Sequence, residues 1–464
     1  MRLLWSATRA LLLICGVVIF PSVAWAAPPK QLSSDPFSGD GAQHATQVEP
    51  DTYGFGSTVV TTFQSGRFFA DGGSSAIGWA ASQNAGKTWT SSGFLPNLTV
   101  ATGGAPGRAT DPAIAFDATH DVWLAASEVF NAGVPAEYVV SRSSDGGVSF
   151  GNPVHAADAP LDKGWIACDN WASSPFKGRC YLVYLDTVSQ SIEMVRSLDG
   201  GVTWNSGTPA VISPGGAGAQ PNILPNGIVV VTFAGPLGME YARSTDGGAT
   251  FGAPALIAVN RSHPPNGMRS QPLPSAEVDG SGRIYFAWQD CRFRSDCNFN
   301  GEANSNSTND IVYSVGTDNG TTTTWGPPQR VPIDDTASGV DHFIPGLAVD
   351  SDSSGAGANI AIAYYFFPVG LCAAATCQLE TGVISTKDAG TTWGRPKTIS
   401  STPMPLTSIA DTNLGRFVGD YISTSFVGTA SIAVTAFSQA PSAPVNGVFN
   451  QSIWGAATRV SASP

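Results

Sequence analysis

The side chains best equipped for chemistry in this sequence are carboxylates that come with a fixed escort of hydroxyls. In Ser197-Leu-Asp-Gly-Gly-Val-Thr-Trp204 an acid lies between a serine and a threonine, and the stretch ends on an aromatic ring. The arrangement returns as Ser143-Ser-Asp-Gly-Gly-Val-Ser-Phe150 and Ser244-Thr-Asp-Gly-Gly-Ala-Thr-Phe251. Looser copies are Ser82-Gln-Asn-Ala-Gly-Lys-Thr-Trp89, Thr386-Lys-Asp-Ala-Gly-Thr-Thr-Trp393 and a stretched one from Gly316 to Trp325. In a turn, the hydroxyl and carboxylate can bond backbone groups, and glycine supplies a φ > 0 position. The aromatic then re-enters a strand and buries a large ring. Repetition decides the role, because an active site is needed once and a fastening is needed in every repeat. Asn84, Asp145, Asp199, Asp246, Asp318 and Asp388 are therefore expected to hold hairpin turns together.

Other reactive groupings are fewer. Cysteines fall into three close pairs, Cys168 with Cys180, Cys291 with Cys297 and Cys372 with Cys377, each suited to clipping one loop. Connectivity cannot be proved from sequence, but locality favours these pairs, and closing short loops gains only modest stability. With no Cys-x-x-Cys spacing and few histidines, zinc is not indicated. Asp350-Ser-Asp352-Ser-Ser354-Gly355 echoes a calcium loop, yet Ala361 stands where a bidentate acid is required, so a turn between strands is expected. The polar insertion Cys291 to Asp310 is the longest, and loops on a rigid frame often carry binding residues. No metal or cofactor is called for.

The eight-residue unit is identified as an Asp-box, or bacterial neuraminidase repeat, and the chain resembles the sialidase superfamily of β-propellers. Propellers with this repeat include sialidases, other glycoside hydrolases and proteins that only bind. The resemblance implies three arginines that clamp a substrate carboxylate, a tyrosine nucleophile helped by a glutamate, and an aspartate acid/base. Guanidinium forks grip a carboxylate bidentately, and a neutral phenol approaches an anionic sugar with less repulsion than a carboxylate would.

Carried onto this chain, the resemblance selects Asp71 as acid/base and Tyr421 as nucleophile, with Arg67, Arg269 and Arg416 as substrate-binding arginines. Gly66-Arg67-Phe-Phe-Ala-Asp71 and Gly419-Asp420-Tyr421-Ile-Ser423 match in order and approximate spacing. The family's Arg-Ile-Pro motif is degenerate, since Val48-Glu49-Pro50 keeps the proline and lacks the arginine. No glutamate partner for Tyr421 is identifiable, and Glu240 is only the nearest in pattern. Each candidate has a structural alternative: a surface ion pair for Arg67 and Asp71, a packed ring for Tyr421, and solvated or carbonyl-bonded guanidiniums for Arg269 and Arg416. A glycosidase would need an acid pair facing the central opening roughly 5 to 9.5 Å apart.

The elements that must position these residues are strands. Between turn units, which recur every roughly 47 to 72 residues, runs such as Val122-Trp-Leu-Ala-Ala126, Ile228-Val-Val-Val-Thr232 and Ile360-Ala-Ile-Ala-Tyr-Tyr365 are bounded by Gly, Asp, Asn and Pro. The expected fold is all-β, a single β-propeller. Seven four-stranded blades are favoured, with six as the alternative if a terminal module merges by strand exchange. Residues 45–464 form the propeller and 27–44 a flexible N-terminal lead.

Residues 1–26 read as a cleaved signal peptide, with Arg2 and Arg9 before an apolar run and Ala24-Trp-Ala26 ahead of the cleavage point. The run is too short to span a bilayer comfortably. Export to a secreted, periplasmic or cell-surface location follows, and six cysteines remain after Cys15 is removed. Only 12% of residues are charged and the net charge is -12, which argues against nucleic acid and anionic membranes as partners. A glycan or glycoconjugate partner and a monomer are expected. Three functions stand together: a carbohydrate-active enzyme of sialidase type, a non-catalytic propeller that binds glycan or protein, and a purely structural role in an exported assembly.

Overall fold

The computed structural model describes residues 28–131, 137–158, 161–298, 307–428 and 431–461. The expected signal peptide 1–26 lies outside the described residues. The described chain is all-β, with no α-helix and three short 3-10 turns among these residues, and no helix is long and apolar enough to cross a membrane.

Strands assemble in units of four consecutive antiparallel neighbours. The first comprises Gln43–Phe55, Thr58–Arg67, Ser74–Ser82 and Ser91–Phe94. The second, from Arg108–Asp117 to Val154–Asp158, joins it edgewise through the single pair Ser74 and Ala109. Further units begin at Leu161–Cys168, Ala217–Ile223, Ser275–Val278 and Asp341–Val349. The last contains Ser423–Val427, Ile432–Gln439 and Ser452–Arg459, and its fourth strand is Lys30–Gln31. The lead read as flexible is thus tied down at this point: Lys30 pairs with Gly455, and Leu32 is buried against the last sheet.

Apolar and small residues fill the spaces between neighbouring units, so the strands are buried on both faces, as Ser74–Ser82 is along its whole length. Leu124, Tyr138, Leu182 and Tyr184 fill the space between the second and third units, and Tyr181, Val183, Val231 and Phe233 that between the third and fourth. The last unit packs on the first in the same way, through Leu32, Phe63, Ala80, Ala436 and Ile453. Polar bridges follow this order along the first strands. Asp51 Oδ2 accepts the Ile114 amide at 2.8 Å, Gln220 Oε1 the Ala276 amide at 2.6 Å, and Ser275 Oγ the Leu347 amide at 3.0 Å. Ser423 Oγ accepts the Thr52 amide at 3.0 Å, joining the last unit to the first.

The turn units are closed by the bonds their residue types allow. Asp145 Oδ1 accepts the amides of Val148 and Ser149 at 3.0 Å each, and Oδ2 accepts the Ser149 hydroxyl at 2.6 Å. The Ser143 hydroxyl donates to Asp145 at 2.7 Å and accepts the Gly147 amide at 3.0 Å. Asp199, Asp246 and Asp388 repeat the pattern. Asn84 does the same with its amide, and Asp318 holds Gly320, Thr323 and Arg243. Against the upward push of burial, these donors hold the Asp145 and Asp246 carboxyls at about 2. The conserved spacing of the second glycine has a packing reason as well. At Gly147, where φ is 79°, an added Cβ would lie 2.6 Å from Val60 of the preceding unit.

Cys168–Cys180, Cys291–Cys297 and Cys372–Cys377 are disulfide-bonded, the local pairs expected. Asp350 closes the turn between Asp341–Val349 and Ile360–Phe367, accepting the Asp352 amide and the Asn359 side chain.

Replacing Asp199 by Ala should lower the unfolding free energy by about 1–2 kcal/mol, since several turn donors lose their acceptor. Asp199→Asn should lose less, because Asn84 serves in the first unit; urea unfolding of both variants measures the difference.

Candidate functional site

A register break falls at the same point in five of the first strands: Val48/Asp51, Thr110/Ala113, Asp162/Trp165, Ala217/Gln220 and Phe343/Gly346. At each break one residue takes a positive φ: Glu49 (52°), Asp111 (45°), Lys163 (54°), Gly218 (62°) and Ile344 (51°). Such bulges re-aim a side chain, and a non-glycine residue held there costs on the order of 1–3 kcal/mol. Three of the re-aimed side chains are charged, and they converge.

Lys163 stands at the centre of this cluster. Its ammonium pairs with Asp420 and lies 3.5 Å from Asp111 Oδ1 and 4.0 Å from Glu49 Oε1, with every partner buried. Arg269 reaches Asp420 at 3.2 Å, and the Asp420 amide donates to Glu49 Oε1 at 3.1 Å. Although burial alone would lower it, the Lys163 pKa is raised by Asp111, Asp420 and Glu49. Asp420 is held below the usual carboxylate range, since Lys163 and Arg269 outweigh its burial. Glu49 moves up instead, chiefly through burial and despite Lys163.

The arginines chosen from sequence meet at this end of the molecule. Arg67 and Arg269 face one ring, Phe417, at 5.1 and 4.3 Å from its centroid. Arg67 is buried, with Nη1 on the Gly73 carbonyl at 2.6 Å, which corrects the expectation of a surface ion pair with Asp71. Arg416 pairs its backbone with Arg269, but its guanidinium turns to the Ile409 carbonyl at 2.7 Å and to Asp411 at 3.8 Å. Asp71 is exposed in the turn between Thr58–Arg67 and Ser74–Ser82. Tyr421 is set deeper, where its hydroxyl donates to the Pro112 carbonyl at 2.9 Å. Burial and then Glu49, Asp111 and Asp51 push this phenol well above its ordinary pKa, the reverse of activation. Glu240 accepts the Leu237 amide at 2.7 Å and stays with its own hairpin.

One step further along the same strands lies a cavity of about 680 Å³. Residues from the first strand of every unit line it, including Asp51, Ile114, Trp165, Gln220, Glu277, Leu347 and Ser423. Aromatic walls come from Tyr53, Trp165 and Trp171, and Tyr421 stands edge-on to Trp165 with ring centroids 5.2 Å apart. Burial raises Asp51 to about 7 despite the amide of Ile114, and burial followed by Asp51 raises Glu277 to about 8. Sequence reasoning passed over Glu49, Asp51, Asp111, Lys163 and Glu277. The available signal was a set of charges inside strand runs of a chain poor in charge, two of them directly before proline, at Glu49-Pro50 and Asp111-Pro112.

Among the described residues, three groups bring acids and histidines within 4.8 Å: Asp111, Glu128 and Asp162; Asp310, Asp334 and His342; Glu137, His155 and Asp158. The first faces Lys163, and burial followed by Asp111 pushes the Glu128 carboxyl well above the usual range. The second is matched by Arg294 and Arg330, at 3.3 and 2.7 Å from Asp310. The third is a partly exposed ion-pair set around His155.

No protein-family model and no curated protein matches the chain. Among solved structures, an ulvan lyase representing a new family of polysaccharide lyase aligns with a TM-score of 0.51 at 9% identity, over 94% of this chain and 96% of that one. An intramolecular trans-sialidase from Ruminococcus gnavus gives 0.48 at 12% identity, over 71% and 92% of the two chains. A protein of unknown function from Dyadobacter fermentans gives 0.46 at 18%, over 74% and 96%. The lyase alignment, nearly end to end in both chains, shows a shared all-β fold.

Lys163→Met should cost about 3–5 kcal/mol, because it strands buried carboxylates without their cation; denaturant unfolding reads this directly. The acids predict a pH trend. Asp51 and Glu277 keep their protons to about 7 and 8 in the folded protein, whereas unfolded acids release theirs near ~4. Their contribution is full below the unfolded value and is lost as pH rises through the folded one. Stability measured by urea unfolding should therefore fall from about pH 5 to pH 8, less steeply in Glu277→Gln.

Proposed function

We propose that this chain is a secreted, seven-bladed sialidase-like propeller that binds a glycan in its axial cavity. The observation that carries the reading is the cavity itself, with a volume of about 680 Å³ and a lining drawn from the first strand of every unit. Ligand sites are concave, mostly pre-formed and set with a few polar groups among rings, and tryptophan and tyrosine offer broad flat faces. Seven blades are supported by the seven first strands around that cavity and by the packing of the last unit on the first. Three local disulfides fit an oxidising compartment.

A second reading is supported by the meeting of Arg67 and Arg269 on Phe417, where the Nε atom of each is buried without a partner. In this reading the degenerate clamp still holds an anionic sugar, with Asp71 as acid/base and Tyr421 as nucleophile. The Pro112 bond of Tyr421 and its raised pKa weigh against hydrolysis by this route.

Isothermal titration with a panel of neutral, cationic and anionic oligosaccharides tests the first reading. Binding should be found and should weaken about tenfold or more in Trp165→Ala. A fluorogenic sialoside tests the second. No turnover is expected; turnover abolished by both Asp71→Ala and Tyr421→Phe would favour a sialidase of altered clamp.

A further inference from the structure

The charge of the axial cavity narrows its ligand. Four acids line it, Asp51, Glu277, Asp350 and Asp352, and no lysine, arginine or histidine is among the lining residues. Two of these acids serve the fold: Asp51 holds the Ile114 amide, and Asp350 holds the Asp352 amide and Asn359. Glu277 is half-buried in the wall, and its electrostatic neighbours are Asp51 and the backbone amide of Val278. Like Asp51 it meets no protein cation among the described residues, and unlike Asp51 it bridges to no neighbouring unit. Asp352 is exposed at the rim.

The positive groups lie beyond the bulges and are already engaged. Lys163 and Arg269 pair with Asp420, and Arg67 bonds the Gly73 carbonyl. An anionic sugar in the cavity would meet carboxylates and no guanidinium. A cation would stabilise the ionised form of these acids, drawing the proton off Glu277 as it binds, and would also meet the faces of Tyr53, Trp165 and Trp171, which attract cations. The net charge of -12 favours the approach of a cation over that of an anion.

We propose that the cavity recognises an amine-bearing sugar, with the ammonium on Glu277 and the sugar ring against Trp165 and Trp171. This rests on the glycan-binding reading above and adds the charge class of the ligand.

The test compares three probes by isothermal titration against the full folded chain: a glucosamine oligosaccharide, its N-acetylated counterpart of equal length, and sialyllactose. The amine should bind at least tenfold more tightly than the acetylated sugar, and sialyllactose should bind weakest. Glu277→Gln should erase the preference, bringing the amine and the acetylated sugar to affinities within about twofold of each other. Asp352→Asn, at the exposed rim, should reduce the preference partially and serves if Glu277→Gln does not fold. Equal binding of amine and acetylated sugars, or tighter binding of sialyllactose, overturns the charge assignment and leaves glycan binding standing. No binding of any probe overturns both.

Discussion

The fold depends on a buried ammonium. Lys163 comes from one sheet, Asp111 and Glu49 from the first strands of two units joined in another and Asp420 from the strand-entry segment of the last, and they meet at one point. None of these groups could be buried alone, because an unpaired charge in a low-dielectric interior costs several kcal/mol. The bulges that aim Glu49, Asp111 and Lys163 inward are strained, and the convergence of charge is what holds them. The cluster thus sets the register of the first strands relative to one another, and the cavity wall is the continuation of those strands.

The same cluster separates two chemical environments. On one side Phe417 lies against Arg67 and Arg269, so the region that the sequence resemblance marks for an anionic substrate is occupied by the protein's own groups. On the other side the cavity has acids and rings but no cation among the described residues. Tyr421 stands at the boundary, bonded to the Pro112 carbonyl on one hand and packed on Trp165 on the other. Its hydroxyl serves as a strut between sheets.

What could be read from the sequence was local. The bonding of Asp145, Asp199 and Asp246 involves residues within four positions, so spacing and residue type were enough. The disulfide pairs are close in sequence for the same reason. The Lys163 cluster was not legible, because its members are far apart in the chain, as with Lys163 and Asp420. A bulge also shifts the alternation by which inward and outward residues are told apart. Glu49 stands where the family resemblance expects an arginine, and only the geometry shows it as a buried acid. Likewise Lys30–Gln31, polar and short, carries no strand signal of its own and is ordered by the edge it pairs with.

The most direct measurement is a crystal structure of the protein soaked with a bound oligosaccharide. Sugar density is expected in the cavity, stacked on Trp165 and within hydrogen-bond reach of Glu277, with Arg67, Arg269 and Phe417 unmoved. Density between Arg67 and Arg269, with Phe417 displaced and the cavity empty, would contradict it.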